Sequence, residues 1–451
     1  MTAGPDAPRA RTWLRRFGAD TRAWHSSGEF RRLLSSRTVT QAGSMITYVA
    51  VPYQVKVLTG STLAVGAVGA AELVPMIVCG LYGGALADAV DRRRLVLGSE
   101  IALTVLTALL ALNATLPRPA LWPVYALAGL AAAAASLQEP AVDAILPRVV
   151  ARDQLTGALA LSSACSAAGR IGGPALGGLV LTTIGPGAAY WLDVASYLAS
   201  LAALARMRPV PPPGGATRPS VHGILTGLRY AAAHQELTGT YLVDIAAMVL
   251  AMPTALLPFF ADTLHAPRYL GLLYAAESLG ALAVSVTSGW TSRVTHHGRA
   301  VAYAAGGWGL CVAAAGLAGN VWLALACLVA AGAADMLSGL FRSTIWNQVV
   351  PDELRGRLAG IELLSYATGP VLGQVRAGGA AAVIGVRPAI VSGGLSCVLA
   401  VTALAARLPR FMSYRPDHPG GDPTGPTSPT KPADPPDRAE GTGERCGDLT
   451  A

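Results

Sequence analysis

The sequence predicts an all-α polytopic membrane protein, with twelve transmembrane helices in two pseudo-symmetric six-helix bundles. Three observations carry this expectation. Of 451 residues, 52% are hydrophobic and 13% charged, and the mean hydropathy is +0.46, whereas soluble domains carry about 25% charged residues. Apolar runs of about 20 residues, the length a spanning helix needs, recur with gaps too short to hold a folded domain. The two halves also repeat. A shift of 205 residues carries Gly66 to Gly271, Ala70-Ala71-Glu72 to Ala275-Ala276-Glu277, and Gly84 to Gly289. A glutamate inside an apolar run at the same phase in both halves is hard to obtain by chance.

Residues 1–37 form a basic leader holding Arg9, Arg11, Arg15, Arg16, Arg22, Arg31, Arg32 and Arg37, which places it on the cytoplasmic side. It has no apolar core ahead of a small-residue cleavage site, so no cleavable signal peptide is expected. Its last part, Glu29-Phe30-Arg31-Arg32-Leu33-Leu34, is either a basic amphipathic entry on the membrane surface or a solvated leader. The N-terminal bundle occupies 38–205, with spans near 38–58, 62–87, 95–115, 120–145, 155–182 and 187–205. A linker follows at 206–236, partly extended where Pro209, Pro211, Pro212 and Pro213 run. The C-terminal bundle occupies 237–411, with spans near 237–261, 269–291, 300–318, 321–345, 357–384 and 388–407. The tail, 412–451, is rich in Pro, Gly, Asp and Thr and is expected to be disordered. An even number of spans returns the C-terminus to the cytoplasm.

Charge tests this topology. Loops expected inside hold Arg92, Arg93, Arg94, Arg148, Arg152, Arg206, Arg208, Arg218, Arg229, Arg293, Arg299, Arg355 and Arg357. Those expected outside hold only Lys56, Arg118, Arg268 and Arg387, a bias of about three to one. The same distribution disposes of nucleic-acid binding as the meaning of the net charge of +8, because the arginines sit at the ends of apolar runs without interleaved aromatics. Five cysteines, Cys79, Cys165, Cys311, Cys327 and Cys397, fall inside predicted spans, and no CxxC pair occurs. Neither a disulfide framework nor a metal site is expected.

The chain is organised around Gly83-Gly84-Ala85-Leu86-Ala87-Asp88-Ala89-Val90-Asp91-Arg92-Arg93-Arg94. So short a connection makes its two flanking spans antiparallel neighbours, and its arginines place it in the cytoplasm. A worn copy runs from Gly289 through Arg293, His296 and His297 to Arg299. Asp88, at a helix end, can face the positive N-terminus of a helix from the other half, and Arg92 can pair with a carboxylate such as Asp143. Gly84, Asp88, Arg92, Arg93 and Asp143 are therefore the candidate cytoplasmic gate. On the plainer reading the same charges only set topology.

The fifth span contains Gly169-Arg170-Ile171-Gly172-Gly173-Pro174-Ala175-Leu176-Gly177-Gly178. Glycines at four-residue spacing admit a second helix, and Pro174 removes a backbone hydrogen bond and bends its own. Gly369-Pro370-Val371-Leu372-Gly373 is a weaker echo in the eleventh span. Val149-Val150 and Val349-Val350 each end one span before an acid-Leu turn. A chain of two similar membrane halves is the architecture of a secondary transporter, with its substrate site at mid-bilayer between them.

The loop at 84–94 resembles the cytoplasmic signature of the major facilitator superfamily, keeping Gly84, Leu86, Ala87, Asp88, Arg92 and Arg93. Asp91 stands where that family usually has glycine, so a less tight turn is expected there. Gly169, Gly173, Pro174, Gly177 and Gly178 resemble the antiporter signature of its drug-exporting members, with Ala160 in place of an earlier glycine. Across the membrane region the chain is similar to the enterobactin-exporter and macrolide-efflux branch. The likeness runs through Phe30-Arg31-Arg32-Leu33, Leu58-Thr59-Gly60-Ser61, Ala71-Glu72-Leu73-Val74-Pro75 and Arg170-Ile171-Gly172-Gly173-Pro174. Gly43-Ser44 stands where that branch often has glycine then aspartate, so a coupling carboxylate has to come from elsewhere. The resemblance implies a major facilitator fold that exports a small amphipathic compound (drug, natural product or siderophore) by proton antiport, with no cofactor beyond the proton gradient.

Ionisable residues inside spans are costly and are functional candidates by default. Glu72 and Glu277, related by the repeat, lead as proton or substrate couplers, and Arg170 is a positive partner or an anion ligand. Asp193, Asp244, Asp335 and Glu362 rank below them, since each can sit near a helix end or in an inter-helix pair. The expected partners are a small-molecule substrate and the lipid bilayer, in a monomeric multi-pass protein of the cell membrane with both termini cytoplasmic. An importer or facilitator of the same fold is the nearest alternative. A membrane enzyme or sensor ranks lower, because no nucleophile–base cluster, Gly-x-x-x-x-Gly-Lys loop or soluble signalling domain is present in the sequence.

Overall fold

The computed structural model describes residues 22–210, 229–351 and 355–415, with the side chains at 81–85, 87–89, 355–357 and 359–367 outside that description. Its long helices are α1 (Gly28–Thr59), α2 (Thr62–Ala89), α3 (Arg92–Thr115), α4 (Leu121–Val149), α5 (Leu155–Thr183) and α6 (Pro186–Leu204). The second half holds α7 (Gln235–Ala251), α8 (Leu270–Thr287), α9 (His297–Leu317), α10 (Val321–Val349), α11 (Arg355–Ile384) and α12 (Val386–Arg407).

Local chemistry sets the ends of these helices. Ser27 caps α1 by accepting from Phe30 N at 3.1 Å. Gly60 ends it in the left-handed conformation, φ 62°, with its N–H on Lys56 O, a stop that favours glycine. Ser61 then caps α2 through Ala64 N. Gly185 (φ 113°) and Gly385 (φ 88°) make the turns from α5 to α6 and from α11 to α12. These turns lie 200 residues apart, in Ile184-Gly185 and Ile384-Gly385, and so extend the repeat.

Two departures from the sequence expectation have local causes. The span expected at 237–261 breaks after Ala251, turns through Met252 and Pro253, and resumes as the short helix Leu257–Thr263. Pro253 has no N–H and pushes Met252 to extended backbone, ψ 114°. The span expected at 269–291 leaves α-geometry at Thr287 and finishes as a tighter 3-10 turn, Ser288–Arg293. Helix α1, in turn, starts ahead of position 38. Phe30, Leu33 and Leu34 are buried against Val96, Ile145, Leu146 and Leu204, which extends the helix to Gly28.

Among the described residues, eight helical stretches are long and apolar enough to cross a membrane: Thr62–Gly80, Arg92–Thr115, Leu121–Val149, Gln235–Thr263, Pro267–Arg293, His297–Leu317, Val321–Val349 and Val386–Arg407. Helices α1, α5, α6 and α11 are not among them. The first three carry arginines, glycines, serines or Asp193 on faces that pack against neighbours. Large apolar side chains lie open on the outer surface, among them Trp122, Ile184, Val286, Tyr303, Leu317 and Leu399, as expected of a surface solvated by lipid.

The packing repeats. Helix α1 packs on α5 and α6, α2 on α4, and α3 on α4 and α6. Likewise α7 packs on α11 and α12, α8 on α10, and α9 on α10 and α12. Advancing every helix by six turns the first set into the second. The principal contacts between the halves, α2 with α11 and α5 with α8, exchange under the same operation.

Candidate functional site

The arginine-rich loop ties α3 to its own half. Asp91 caps α3 by accepting from Arg94 N at 3.0 Å, with an ordinary φ of −59°. The turn therefore needs no glycine, and the acid supplies a cap in its place. Arg93 donates to the last carbonyls of α6, Leu204 O at 3.2 Å and Ala205 O at 2.7 Å, where a cation also meets the negative end of the helix dipole. Arg92 is buried and donates to Ala144 O at 3.3 Å. The neighbouring Asp143 takes its ion pair from Arg37 of α1, at 2.9 Å, where the sequence had suggested Arg92. The side chains of Gly84 and Asp88 lie outside the described residues, as does that of Glu362.

The glycines of α5 form a seam with two sides. A methyl group at Gly169, Gly173 or Gly177 would press on Gln41, on Ala42 and Met45, or on Ile46, all of α1. One at Gly178 would overlap the backbone of Gly271 in α8, and one at Gly271 would overlap Pro174 O. Gly172 faces open space. The echo in α11 repeats the pattern, with Gly369 against Met248 of α7 and Gly373 against Met248 O and Met252 just beyond it. Gly66 of α2 lies against Gln374 O and Gly378 of α11. Arg170 is exposed, within electrostatic reach of Glu139 on α4.

Polar contacts seen between the halves lie at the end away from the arginines. Lys56 pairs with Asp262 at 2.5 Å and donates to Pro258 O at 2.7 Å, and Thr62 Oγ1 donates to Gly378 O at 3.1 Å. Deeper in, Tyr48 stacks edge-on against Tyr274 at 5.8 Å, within electrostatic reach of both Glu72 and Glu277. Glu72 is half-buried and receives no hydrogen bond or ion pair from a described residue. Glu277 Oε1 is buried without a hydrogen-bond partner among the described residues.

Glu277 opens into a cavity of about 360 Å³ in the second half, lined also by Asp244, Asp335, Arg342, Trp308 and Met248. Arg342 forms an ion pair with Asp244 and reaches Asp335 at 4.0 Å. Trp346 Nε1 donates to Tyr241 Oη at 3.0 Å, bracing the wall. Arg342 was missed from sequence. The legible signal was its seven-residue spacing from Asp335, two helical turns on one face of an apolar run.

The first half holds its buried acids differently. Asp193, fully buried on α6, accepts from Thr47 Oγ1 at 2.5 Å and Ser196 Oγ at 3.0 Å. Gly43 makes room for it, since a methyl group there would overlap Asp193 Oδ1 and Ser196 Oγ. Ser44, where the resembling branch has aspartate, shares a hydrogen bond with Tyr197 Oη at 2.9 Å. The carboxylate in this region thus comes from α6. Glu100 of α3, also missed from sequence, is buried and accepts from Ser200 Oγ at 2.7 and 2.8 Å, and from Thr40 Oγ1 and Gln138 Nε2 at 3.3 Å.

Residues 21–418 match the family model of the transmembrane secretion effectors. The chain is 30% identical over 399 residues to the enterobactin exporter EntS of Citrobacter koseri, covering 87% of this chain and 95% of that one. It is 29% identical over 356 residues to EntS of Escherichia coli, covering 79% and 86%. Among solved structures, a nucleoside transporter NupG mutant superposes with a TM-score of 0.70 at 13% identity, covering 84% of this chain and 99% of that one. A POT family transporter in complex with 5-aminolevulinic acid superposes with a TM-score of 0.70 at 10% identity, covering 85% and 97%. At such identities these structures speak for the fold alone.

Proposed function

The chain belongs to the transmembrane secretion effector family of the major facilitator superfamily and is a secondary transporter, and from that premise we propose that it exports a small amphipathic organic compound, of drug, natural-product or siderophore type, by proton antiport. The siderophore class comes from its enterobactin-exporting relatives. Two pseudo-symmetric six-helix bundles, 38–205 and 237–411, joined by the 206–236 linker, rock about the substrate by alternating access. The chain works as a monomer in the cell membrane, with its basic leader, its 412–451 tail and the arginine-rich face all cytoplasmic. On that orientation the Lys56–Asp262 pair joins the two halves on the outer side.

The observation that carries this reading is the exchange of α2–α11 for α5–α8 under the six-helix repeat. Two equivalent small-residue seams, each made by one helix from either half, provide matched pivots. The cavity between Glu277 and Arg342 takes the substrate, and Glu72 and Arg170 belong to the half it must part from. Gly84, Asp88, Arg92, Arg93 and Asp143 latch the cytoplasmic face in the opposite state.

The test is accumulation of a panel of antibiotics and siderophores in cells expressing the chain, with and without a protonophore. Lower accumulation, restored by the protonophore, is expected for at least one compound. Raised accumulation on expression refutes the export direction, and export indifferent to the protonophore refutes proton antiport.

A further inference from the structure

We propose that the driving proton is bound outside the substrate cavity, on Asp193 and Glu100 in the seam between α1 and α6, a reading that rests on the proton antiport proposed above. Along α1, Ser36, Thr40, Ser44 and Thr47 recur at three- and four-residue spacing and so share a face. Asp193, Tyr197 and Ser200 do the same on α6. They meet in order: Thr47 with Asp193, Ser44 with Tyr197, Thr40 with Glu100, and Ser36 with Ser200 at 2.5 Å. The ladder spans about 16 Å of helix, about half the hydrocarbon thickness.

What surrounds the two acids decides between a structural and a proton-binding role. No arginine, lysine or histidine is among the described partners of either, whereas Asp244 is held by Arg342. Apart from Gln138 Nε2, at 3.3 Å from Glu100, their side-chain donors are all hydroxyls. A hydroxyl donates to a carboxylate and, after rotating, accepts from a carboxylic acid. This lattice therefore satisfies either protonation state without moving a helix. Proton uptake forms one O–H bond on a carboxyl oxygen and breaks one on water, and release reverses both. Tyr197 lies within electrostatic reach of both acids, and with Tyr190 further along α6 these are the titratable groups facing the seam among the described residues. Beyond Asp193, Tyr190 Oη donates to Gln54 Oε1 at 2.7 Å, while Gln54 Nε2 is buried without an acceptor among the described residues. A water entering from that end satisfies it.

The repeat supplies independent support. The shift of 205 carries Glu100 to Ala305, and the shift of 200 that aligns the Ile-Gly turns carries Asp193 to Gly393. The second half keeps the same packing without either acid, so the fold does not require them.

Infrared difference spectroscopy on the purified full chain in lipid tests this without knowing the substrate. As pH is raised, carboxylic-acid carbonyl bands should disappear from the wild-type protein. Asp193→Asn and Glu100→Gln should each remove one band, while eluting as folded monomers. Both variants should also lose protonophore-sensitive export of whichever compound the panel identifies. Bands unchanged in both variants, or lost only in Glu72→Gln or Glu277→Gln, overturn the proposal by returning the proton to the cavity. Wild-type export indifferent to the protonophore defeats the antiport reading instead, and the spectra report on the seam separately.

Discussion

Replacing Gly178 with alanine should tilt the transporter away from the state described here. The new methyl group overlaps the Gly271 backbone in α8, and since no flexible side chain is there to yield, α5 and α8 must separate. Overpacking of this kind costs about 1–3 kcal/mol. Alanine also stabilises a helix by about 1 kcal/mol over glycine, but α5 is helical in both states, so that gain cancels between them. The seam cost falls only on the state in which the seam is shut, and the equilibrium shifts by roughly 5–150-fold. Spin labels on Ile184→Cys and Val383→Cys, both exposed positions at helix C-terminal ends in opposite halves, in a chain otherwise free of cysteine, report the separation of that face by electron–electron double resonance. The longer-distance population should grow in Gly178→Ala. Gly172→Ala, where an added methyl meets nothing within 4 Å, should leave the distribution unchanged. An unmoved distribution in Gly178→Ala, or an equal shift in Gly172→Ala, refutes the seam as a state-dependent contact.

Two further outcomes follow from local geometry. Arg342→Gln leaves Asp244 buried beside no cation and should cost about 3–5 kcal/mol, read as a fall in thermal stability by size-exclusion retention. Adding Asp244→Asn should recover most of it, and no recovery would place Arg342's contribution elsewhere. At the α3 cap, Asp91→Ala should cost about 1 kcal/mol and Asp91→Gly only a few tenths; equal losses in the same assay would mean that the acid does more than cap.

Helix positions were legible because local chemistry determines them. Apolar runs set the lengths, and Gly60 with Ser61 sets one of the ends, whereas the cap at Ser27 was not read and the first span was expected to begin only at 38. Where the expectation overran, at Met252-Pro253, the break was written in the sequence but was outweighed by the apolar residues on either side. The charged groups were a different matter. Glu72 and Glu277 stood out because the repeat pairs them. Arg342 with Asp244, Glu100 with Ser200, and Thr47 with Asp193 are partners separated by about a hundred residues or more. Which of them meet depends on the rotation of each helix about its axis. Tertiary packing sets that rotation, and periodicity within a single span does not report it.

The two halves have diverged in a way their contacts explain. Gly66 and Gly271 correspond under the repeat, and each sits where its helix touches the other half. Because the repeat exchanges α2–α11 with α5–α8, a bulky residue on either seam would unbalance the proposed rocking, which uses both pivots. Charge is under no such constraint. An arginine on α10 can hold an acid of α7 beside a cavity, while hydroxyls of α1 and α6 hold acids in a closed seam, and neither arrangement disturbs the backbone crossings. On the proposed antiport, substrate and proton are therefore assigned to different halves while the proposed rocking stays symmetric, and coupling then requires only that each ligand favour a different one of the two crossing states.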